Sequence, residues 1–279
     1  MARLHFTKMH GIGNDYVYVD CFAQRIADPA GLARRISPRH TGIGSDGLIL
    51  ICPSSVADCR MEMYNADGSR GEMCGNGIRC VGKYVYEHHL ARHEILRVET
   101  DAGIKTLRLQ VRDGRVHTVT VDMGEPVLDG PRIPVAAEGR VINAPLQVAG
   151  TTYQITCVSM GNPHCVVFLP EVEALRIEDL GPQFEHHPFF PKRVNTEFIL
   201  VSNRAELRMR VWERGSGETA ACGTGACAAL VAAVLTDRTD RRANLHLNGG
   251  DLEIEWKADD NHVLMTGPAE EVFSGEIEL

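Results

Sequence analysis

The chain has 279 residues, of which 44% are apolar and 24% charged, as expected for a globular protein large enough for two domains. A net charge of -8 with only five lysines gives no basic stripe of the kind that follows a phosphate backbone, so we expect no nucleic-acid partner. The longest apolar run, 226–235, is about half the roughly 20 residues that span a bilayer, and the first ten residues lack a signal-peptide core, so we expect a cytoplasmic protein without a membrane contact.

The first half reads as strands around one long helix. In chain order it is predicted to contain a strand, a glycine-rich turn over 9–15, a strand from Tyr16, a helix over 29–36, a strand over 48–52, a strand around 61–63 and a helix from Gly75 to about His89. From 95 to 123 apolar residues then alternate with a period of two, and Asp113-Gly114 between two such runs is typical of a hairpin turn.

The second half repeats this order from about residue 141. It is predicted to contain strands around Ala149-Gly150, a strand over 165–169, a short helix near 180–187, a strand over 197–201, a strand with alternating apolar residues up to Trp212, a helix over 223–235 and a hairpin at 248–250. Because the helix over 223–235 is apolar almost all round, we expect it to be buried inside a sheet.

Two short motifs repeat each other, Cys-Gly-Asn-Gly at 74–77 and Cys-Gly-Thr-Gly at 222–225, each at the start of a predicted helix. An aromatic residue precedes each cysteine by ten positions: Tyr64 in the first case and Trp212 in the second. Matching landmarks recur at an offset of about 140 to 150 residues without a linker rich in proline or serine. The repeat therefore indicates two related halves that face one site in a cleft between packed domains.

A cysteine at a helix start lies where unpaired backbone N–H groups point, and this environment favours the thiolate. The pKa of such a thiol falls from about 8.5 to between roughly 3.5 and 7.5. The glycines that follow carry no Cβ atom, so a substrate carboxylate can approach the same N–H groups closely. Nine cysteines without the spacing of a small disulfide-rich domain predict no structural disulfides, and Cys80 and Cys227 are expected to be core residues.

Two such thiols suit the inversion of a carbon atom that bears an acidic hydrogen. One group removes the proton on one face and the other returns a proton on the opposite face, which a single group cannot do. A pyridoxal cofactor would usually stabilise the carbanion through a lysine. None of the five lysines stands in a recognisable cofactor motif, so we expect no cofactor and predict that the helix starts stabilise the charge.

Two alternatives stay open on the residues alone. One is a cysteine hydrolase with Cys74 or Cys222 as the nucleophile and His164 as the base, which does not explain why the motif occurs twice. The other is a metal-binding or redox module, although no cysteine pair has the C-x-x-C spacing of such sites. We therefore expect no metal.

Seven motifs distributed over the whole chain identify a resemblance: 8–15, 65–69, 73–80, 160–164, 193–195, 213–219 and 222–225. Together they resemble the diaminopimelate epimerase family of cofactor-independent amino-acid racemases. Proline-type racemases use a similar thiol pair on other substrates. We favour diaminopimelate, because the arginine and glutamate at 213–214 and the asparagines would serve no purpose on a substrate with one charged end.

The resemblance implies roles for individual residues. It makes Cys74 and Cys222 the acid and base, and His164 and Glu213 the residues that tune the two sulfurs. The main-chain N–H groups that hold the reacting carboxylate would belong to Gly75, Asn76, Gly223 and Thr224. The rest of the substrate would contact Asn14, Asn65, Asn162, Asn195, Glu213 and Arg214. At position 47, where some members of the family have glutamine, this chain has glycine, so the resemblance implies no role there.

The resemblance also implies an α+β fold of two pseudo-symmetric domains, each a curved, mostly antiparallel sheet or barrel around a central helix. We expect an N-terminal domain over 1–122, which 268–279 would complete, and a C-terminal domain over 123–267. Diaminopimelate is the implied substrate, and a homodimer is the implied assembly.

Overall fold

The computed structural model describes residues 3–278, which form two compact units. One unit ends at Val121 and takes in the chain again from Thr266, and the other runs from Asp122 to Met265.

The first unit is a mostly antiparallel sheet with two parallel strand pairs. Its elements up to Asp122 are β1 (Arg3–Gly11), β2 (Asn14–Asp20), α1 (Pro29–Ile36), β3 (Gly47–Cys52), β4 (Cys59–Asn65), β5 (Arg70–Gly71), α2 (Gly75–Glu87), β6 (Ile95–Thr100), β7 (Gly103–Arg112) and β8 (Arg115–Asp122). Strands β2 and β3 pair in parallel, as do β4 and β6, while the neighbours β1–β2, β3–β4, β6–β7 and β7–β8 are antiparallel.

Helix α2 is the core of this unit. Every residue from Gly75 to Val85 is buried, and the helix contacts β1, β2, β4 and β7. Two cations lie within this buried stretch because backbone carbonyls accept hydrogen bonds from them. Arg79 donates to the carbonyls of Pro268 and Gly75, and the Lys83 ammonium donates to Val116 O and pairs with Glu87.

The second unit has the same kind of sheet. Its elements are β9 (Ala144–Val148), β10 (Thr151–Ser159), β11 (Pro163–Phe168), α3 (Ile177–Glu185), β12 (Asn195–Asn203), β13 (Glu206–Glu213), β14 (Gly217–Thr219), α4 (Gly223–Leu235), β15 (Arg242–Leu247), β16 (Gly250–Trp256) and β17 (Val263–Gly267), with a short 3-10 helix at Gly130–Arg132. Strands β11–β12 and β13–β15 are parallel, and the pairs β9–β10, β10–β11, β12–β13 and β15–β16 are antiparallel. The last strand, β18 (Glu270–Glu278), pairs with β1 of the first unit.

Helix α4 occupies the centre of the second unit as α2 does in the first. It contacts β10, β11, β12, β15 and β16, and residues 225–233 are all buried. Its bounds match the predicted helix over 223–235, and its burial explains why the sequence lacks a polar face there.

The internal repeat is a repeat of strand register with an offset of 148 residues, which relates β2, β3, β4 and α2 to β11, β12, β13 and α4. Helices α2 and α4 begin at 75 and 223 and end at 87 and 235. In the parallel pairs, Tyr16 lies opposite Gly47 as His164 lies opposite Asn195. In the next antiparallel pairs, residue 49 lies opposite 63 as residue 197 lies opposite 211. Each residue around one cysteine therefore has a numbered counterpart around the other.

The glycine-rich turn is shorter than the sequence suggests. Strands β1 and β2 extend to Gly11 and from Asn14, so only Ile12 and Gly13 form the turn, with φ of 47° and 86°. Two positive φ values are typical of a type I′ hairpin, and Asp113-Gly114 forms a turn of the same kind. Gly11 lies in strand β1, and glycine is required there by packing. A Cβ atom at this position would be 2.9 Å from Arg79 Nη2 and 3.0 Å from Asn76 O of α2.

Among the described residues 3–278, none of the helices combines the length and the apolar character needed to cross a bilayer.

Replacement of Leu230 tests the role of α4 as the core of the second unit. Leu230 is fully buried, so Leu230→Ala should lower the free energy of unfolding by about 2–5 kcal/mol. Both tryptophans, Trp212 and Trp256, lie in the second unit, so their fluorescence during urea denaturation reports on this unit. The control Ile95→Ala removes an exposed side chain of β6 and should leave the transition unchanged; an equal effect of the two variants would contradict the assignment.

Candidate active site

Cys74 is the N-cap of α2. It has an extended backbone with φ of -129° and ψ of 119°, and its half-buried sulfur accepts a hydrogen bond from the Gly77 N–H at 3.3 Å. The Gly77 position has no room for a side chain, because a Cβ atom there would lie 2.6 Å from Ile49 Cδ1 and 3.4 Å from the Cys74 Cβ. The motif therefore brings the sulfur close to helix N–H groups, which favours its thiolate form.

A polar network next to Cys74 fixes Asn14. The thiol donates to Asn14 Oδ1 at 3.2 Å, and Asn14 Nδ2 donates to Asp46 Oδ2 at 2.8 Å. Asp46 also accepts the backbone N–H of Asp15 and a guanidinium N–H of Arg39. Because an amide that donates from Nδ2 to a carboxylate must turn Oδ1 the other way, Asp46 determines which end of Asn14 faces the sulfur.

The charged groups behind Asn14 support this arrangement. Asp15 pairs with Arg39 through two hydrogen bonds of 2.7 and 3.2 Å and also with buried Lys8. Burial opposes the charge on Asp15, but the hydrogen bonds from Arg39 and Lys8 outweigh it and lower the pKa of this carboxyl group. Asp15 is therefore ionised at neutral pH.

Three other predicted residues belong to the first unit. Two directly follow Cys74 in the chain, and the third lies at the end of a strand. Gly75 and Asn76 are buried in the first turn of α2. Asn65 ends β4, where its backbone N–H and its amide both donate to Ser69. Opposite Asn65 in the sheet, Gly47 could not carry a longer side chain, because a Cβ atom would lie 2.1 Å from Tyr64 O.

Cys222 repeats the cap geometry in the second unit. It precedes α4 with φ of -125° and ψ of 107°, and its side chain is buried. Its sulfur lies 3.5 Å from Thr224 Oγ1. At Gly225 a Cβ atom would lie 2.6 Å from Glu197 Oε1 and 3.2 Å from the Cys222 sulfur, so glycine is required for both groups to approach the helix start.

The surroundings of Cys222 favour the protonated thiol. Burial raises the pKa of Cys222 well above its usual value, and the charges of Glu213 and Glu197 raise it further. Burial likewise raises the pKa of Glu213, the last residue of β13, whose Oε1 accepts a hydrogen bond from Thr219 at 2.5 Å. Cys222 is therefore suited to carry a proton at neutral pH.

His164 lies between two oxygens in the interior of the second unit. It is fully buried, its Nδ1 is 2.7 Å from Glu197 Oε1, and its Nε2 is 2.9 Å from Asn162 Oδ1. These contacts fix the plane of the imidazole ring. One nitrogen of His164, one oxygen of Glu197 and the sulfur of Cys222 all lie within 4.8 Å of one another.

That group contains ligand types that zinc uses. The hydrogen bond between His164 and Glu197 already occupies one donor atom of each residue, so we assign no metal to it. The absence of a metal stays a prediction of the sequence.

Asn195 connects two predicted residues of the second unit. It is buried at the start of β12, its amide donates to Pro163 O at 3.1 Å, and its Oδ1 accepts the backbone N–H of Arg214 at 3.0 Å. The exposed Arg214 side chain donates to Lys192 O at 3.3 Å. Asn195 thus fixes the backbone next to Asn162 and at Arg214.

Cys80 of α2, which was expected in the core, is unsuited to acid–base chemistry. Cys80 is buried, and burial raises its pKa to about 11. Tyr18 is equally buried beside it, and its pKa is raised by the same cause. Cys227 of α4 is buried too.

The predicted residues are divided between the two units: the first contains Asn14, Asn65, Cys74, Gly75 and Asn76, and the second contains Asn162, His164, Asn195, Glu213, Arg214, Cys222, Gly223 and Thr224. Sequence reasoning missed Asp46 and Glu197. A signal for Glu197 exists, because it is a single acidic residue within the strand Asn195–Asn203 where the register repeat has Ile49 in the other half.

Comparisons with known proteins agree with the motifs. A family model described as diaminopimelate epimerase matches residues 6–128 and 156–272. The chain is 57% identical over 278 residues to the diaminopimelate epimerase of Moorella thermoacetica, covering 99% of this chain and all of that one. It is 54% identical over 277 residues to that of Acetivibrio thermocellus, covering 99% of each chain.

Solved structures with low sequence identity share the fold. A hydroxyproline epimerase from Agrobacterium vitis is similar with a TM-score of 0.71 at 16% identity, covering 99% of this chain and 91% of that one. A PhzF-family phenazine biosynthesis protein from Enterococcus faecalis is similar with a TM-score of 0.73 at 11% identity over the whole of both chains. The predicted α+β fold class is confirmed.

The raised pKa of Glu213 predicts a pH-dependent stability. The protonated form stabilises the fold below the usual carboxyl pKa, and this contribution is lost as the pH rises through the raised value. Relative to wild type, Glu213→Gln should therefore gain free energy of unfolding as the pH rises from about 5 to about 8. Urea denaturation monitored by tryptophan fluorescence at several pH values measures this difference.

Glu173 provides a control of opposite sign. A hydrogen bond from Arg208 lowers the pKa of this exposed carboxyl group, so its contribution to stability is lost only as the pH falls below the usual carboxyl pKa. The difference between Glu173→Gln and wild type should therefore change, with the opposite sign to that of Glu213→Gln, only at lower pH and should be flat from about pH 5 to about 8. A flat difference between wild type and Glu213→Gln over this range would contradict the burial of an ionisable group at this position.

Proposed function

The chain belongs to the diaminopimelate epimerase family, and on this premise we propose that Cys74 and Cys222 invert one α-carbon of diaminopimelate by removing and returning its proton. The family consists of isomerases that work without pyridoxal phosphate and that supply precursors of lysine and peptidoglycan. The reaction interconverts the L,L and meso forms.

One observation carries the assignment of the two thiols. Cys74 and Cys222 are 148 residues apart, have nearly the same backbone angles and precede helices of 13 residues each in the core of their units. A structural cysteine does not need this repeated N-cap geometry with glycine at the third following position. A reaction that needs one thiol for each face of a carbon atom does need two equivalent ones.

The two surroundings suggest the resting proton distribution. Cys74 is half-buried and its sulfur accepts a helix N–H, which suits a base in its thiolate form; the hydrogen bond that its thiol donates to Asn14 Oδ1 is given up when the proton leaves. Cys222 is buried beside two glutamates that raise its pKa, which suits an acid in its thiol form. We propose that the Cys74 thiolate takes the α-proton and that the Cys222 thiol delivers its own proton to the opposite face.

After this turnover Cys74 carries the proton and Cys222 is the thiolate. The same pair then acts in reverse on the other stereoisomer, with Cys222 as base and Cys74 as acid. Each inversion thus breaks one C–H bond, forms one C–H bond and moves one proton from Cys222 to the product while Cys74 gains one.

The carbanion needs stabilisation, which we assign to the two helix starts. The first N–H groups of a helix have no partner within it and carry partial positive charge. We propose that the main-chain N–H groups of Gly75, Asn76, Gly223 and Thr224 bind the carboxylate next to the reacting carbon. Donors that are already oriented stabilise charge in the transition state without further rearrangement.

We assign the other end of the substrate to side chains. The exposed guanidinium of Arg214 can bind the distal carboxylate in a forked pair, and Glu213 can bind an ammonium group. The side-chain amides of Asn14, Asn65 and Asn162 complete the contacts. Asn195 acts here by fixing Arg214 and Pro163, which its two hydrogen bonds support.

We further infer that the enzyme works in the cytoplasm and forms a homodimer. Both statements are supported by its family and not by a contact within this chain.

Exchange of the α-hydrogen tests the proposal directly. In heavy water the wild type should introduce deuterium at one α-carbon of L,L-diaminopimelate, and both Cys74→Ala and Cys222→Ala should slow this by about 100-fold or more. Mass spectrometry of the substrate measures the exchange. Cys52→Ser changes a half-buried cysteine outside both motifs and should behave as wild type, and proline should show no exchange. The assignment fails if both alanine variants retain the wild-type rate.

Asp46 provides a second test, because it orients the amide of Asn14 toward Cys74. Loss of a hydrogen bond to a charged partner costs about 1.5–3 kcal/mol, so Asp46→Ala should lower kcat/KM by roughly tenfold or more. Asp101→Ala is the matched control, because Asp101 also pairs with arginines, Arg60 and Arg70, at the surface of the same unit. Equal kcat/KM values in the two variants would show that the Asn14 amide needs no such support.

A further inference from the structure

Glu197 is a buried acidic residue that the proposed mechanism does not use. It lies in β12, between Thr196 and Phe198, and all three residues are fully buried. An ionised carboxylate loses its hydration when buried, so proteins bury one only where it has partners or a function.

Glu197 has one strong partner. Its Oε1 is 2.7 Å from Nδ1 of His164, which is itself fully buried, and this contact orients the imidazole ring with Nε2 toward Asn162. Among residues 3–278, Glu197 Oε2 has no hydrogen-bond partner. The carboxylate is therefore only partly compensated within its unit.

The carboxylate lies next to the Cys222 sulfur. An oxygen of Glu197 and the sulfur lie within 4.8 Å of each other, and both approach the position where a Cβ atom of Gly225 would be. The absence of a side chain at 225 thus gives space to two groups at once. The charge of Glu197 acts on the thiol at short range in a site from which water is largely excluded.

The internal repeat shows that the fold does not need this charge. With the offset of 148 residues, the counterpart of Glu197 is Ile49, which is buried in β3 and approaches Gly77 as Glu197 approaches Gly225. The counterpart of His164 is Tyr16. The same backbone position is thus filled by an aliphatic side chain beside Cys74 and by a carboxylate beside Cys222.

We propose that Glu197 is a positioning residue that fixes His164 and keeps the proton on Cys222 in the resting enzyme. This inference rests on the proposed roles of Cys74 and Cys222. It makes the two thiols unequal before substrate binds, with Cys74 as the first base. Glu197 acts through His164 and through its charge and needs no contact with the substrate.

The titratable groups that face Cys222 come from three strands. They are His164 of β11, Glu197 of β12 and Glu213 of β13, and Thr224 adds a hydroxyl group from α4 itself. Cys165 of β11 also lies near Glu197, but burial raises its pKa so far that it stays a thiol. Removal of the Glu197 charge should therefore make the Cys222 thiolate easier to form.

Thiol alkylation measures this without any substrate. The rate of Cys222 modification by iodoacetamide is followed against pH by peptide mass spectrometry, and Cys74 in the same samples is an internal control. The midpoint is the pH at which the alkylation rate of a cysteine is half-maximal. In wild type the midpoint for Cys222 should lie above that for Cys74. In Glu197→Gln the Cys222 midpoint should fall by about one pH unit or more, and the Cys74 midpoint should not move.

Two further variants separate charge from structure. Glu197→Ile places the side chain of the first unit at this position and should also lower the Cys222 midpoint. Glu185→Gln changes another buried carboxylate of the second unit, which accepts hydrogen bonds from Trp212, Gly215 and Arg193, and should leave the Cys222 midpoint unchanged. In the epimerisation assay, the pH at which kcat/KM declines on the alkaline side should be lower in Glu197→Gln than in wild type, as the Cys222 midpoint is.

Three results would overturn the proposal. They are a wild-type Cys222 midpoint at or below that of Cys74, an unchanged Cys222 midpoint in the folded Glu197 variants, and an equal shift in Glu185→Gln. The first of these results would refute the proposal even if the Glu197 variants do not fold. Since alkylation needs no diaminopimelate, a protein that fails to exchange its α-hydrogen would refute the proposed function while leaving this result interpretable.

Discussion

The closeness of a cysteine sulfur to the first turn of a buried helix is the constraint on which both halves depend. In each unit the cysteine is an extended N-cap, and the glycine three residues later has no room for a Cβ atom. At Gly77 the obstacle is Ile49, and at Gly225 it is the Glu197 carboxylate together with the sulfur. The helix must lie in the core for this contact to exist, so the surrounding strands serve to hold a helix start in place.

Backbone symmetry and side-chain asymmetry have separate roles in this arrangement. The strand registers repeat at an offset of 148 residues, which gives two thiols the same geometry. The side chains at equivalent positions differ: Ile49 corresponds to Glu197, and Asn65 corresponds to Glu213. At these two positions carboxyl groups lie near Cys222 where the first unit has an aliphatic side chain and an amide. A repeated fold alone would give two thiols with the same pKa. Inversion of a carbon atom, in contrast, requires one thiolate to remove a proton and one thiol to return one.

The parts of the structure that depend on local sequence were predictable. Helix α4 has the bounds that its apolar run predicts, and Asp113-Gly114 forms the expected turn because few residue pairs accept two positive φ values. The turn before Asn14 was predicted too long, because Gly11 is required by its packing against α2 and not by a turn. Asp46 acts through Asn14, 32 positions away, and this contact leaves no local signal. The contact of Glu197 with His164 spans 33 positions, and the only local signal for it is a single acidic residue within a buried strand.

The acidic groups of the second unit lower the stability of the fold, and this supports a functional role for them. Glu197 Oε2 has no hydrogen-bond partner within the described range 3–278, and a buried carboxylate of this kind weakens a fold. In the first unit an isoleucine fills the equivalent position. The raised pKa of Glu213 also indicates a loss of folding stability. Burial there opposes the charged form, so stability decreases as the group ionises. Selection for stability alone would remove both charges. They lie beside Cys222 in a unit whose almost entirely apolar central helix provides a large core. This arrangement indicates that some stability is given up for control of the proton on Cys222.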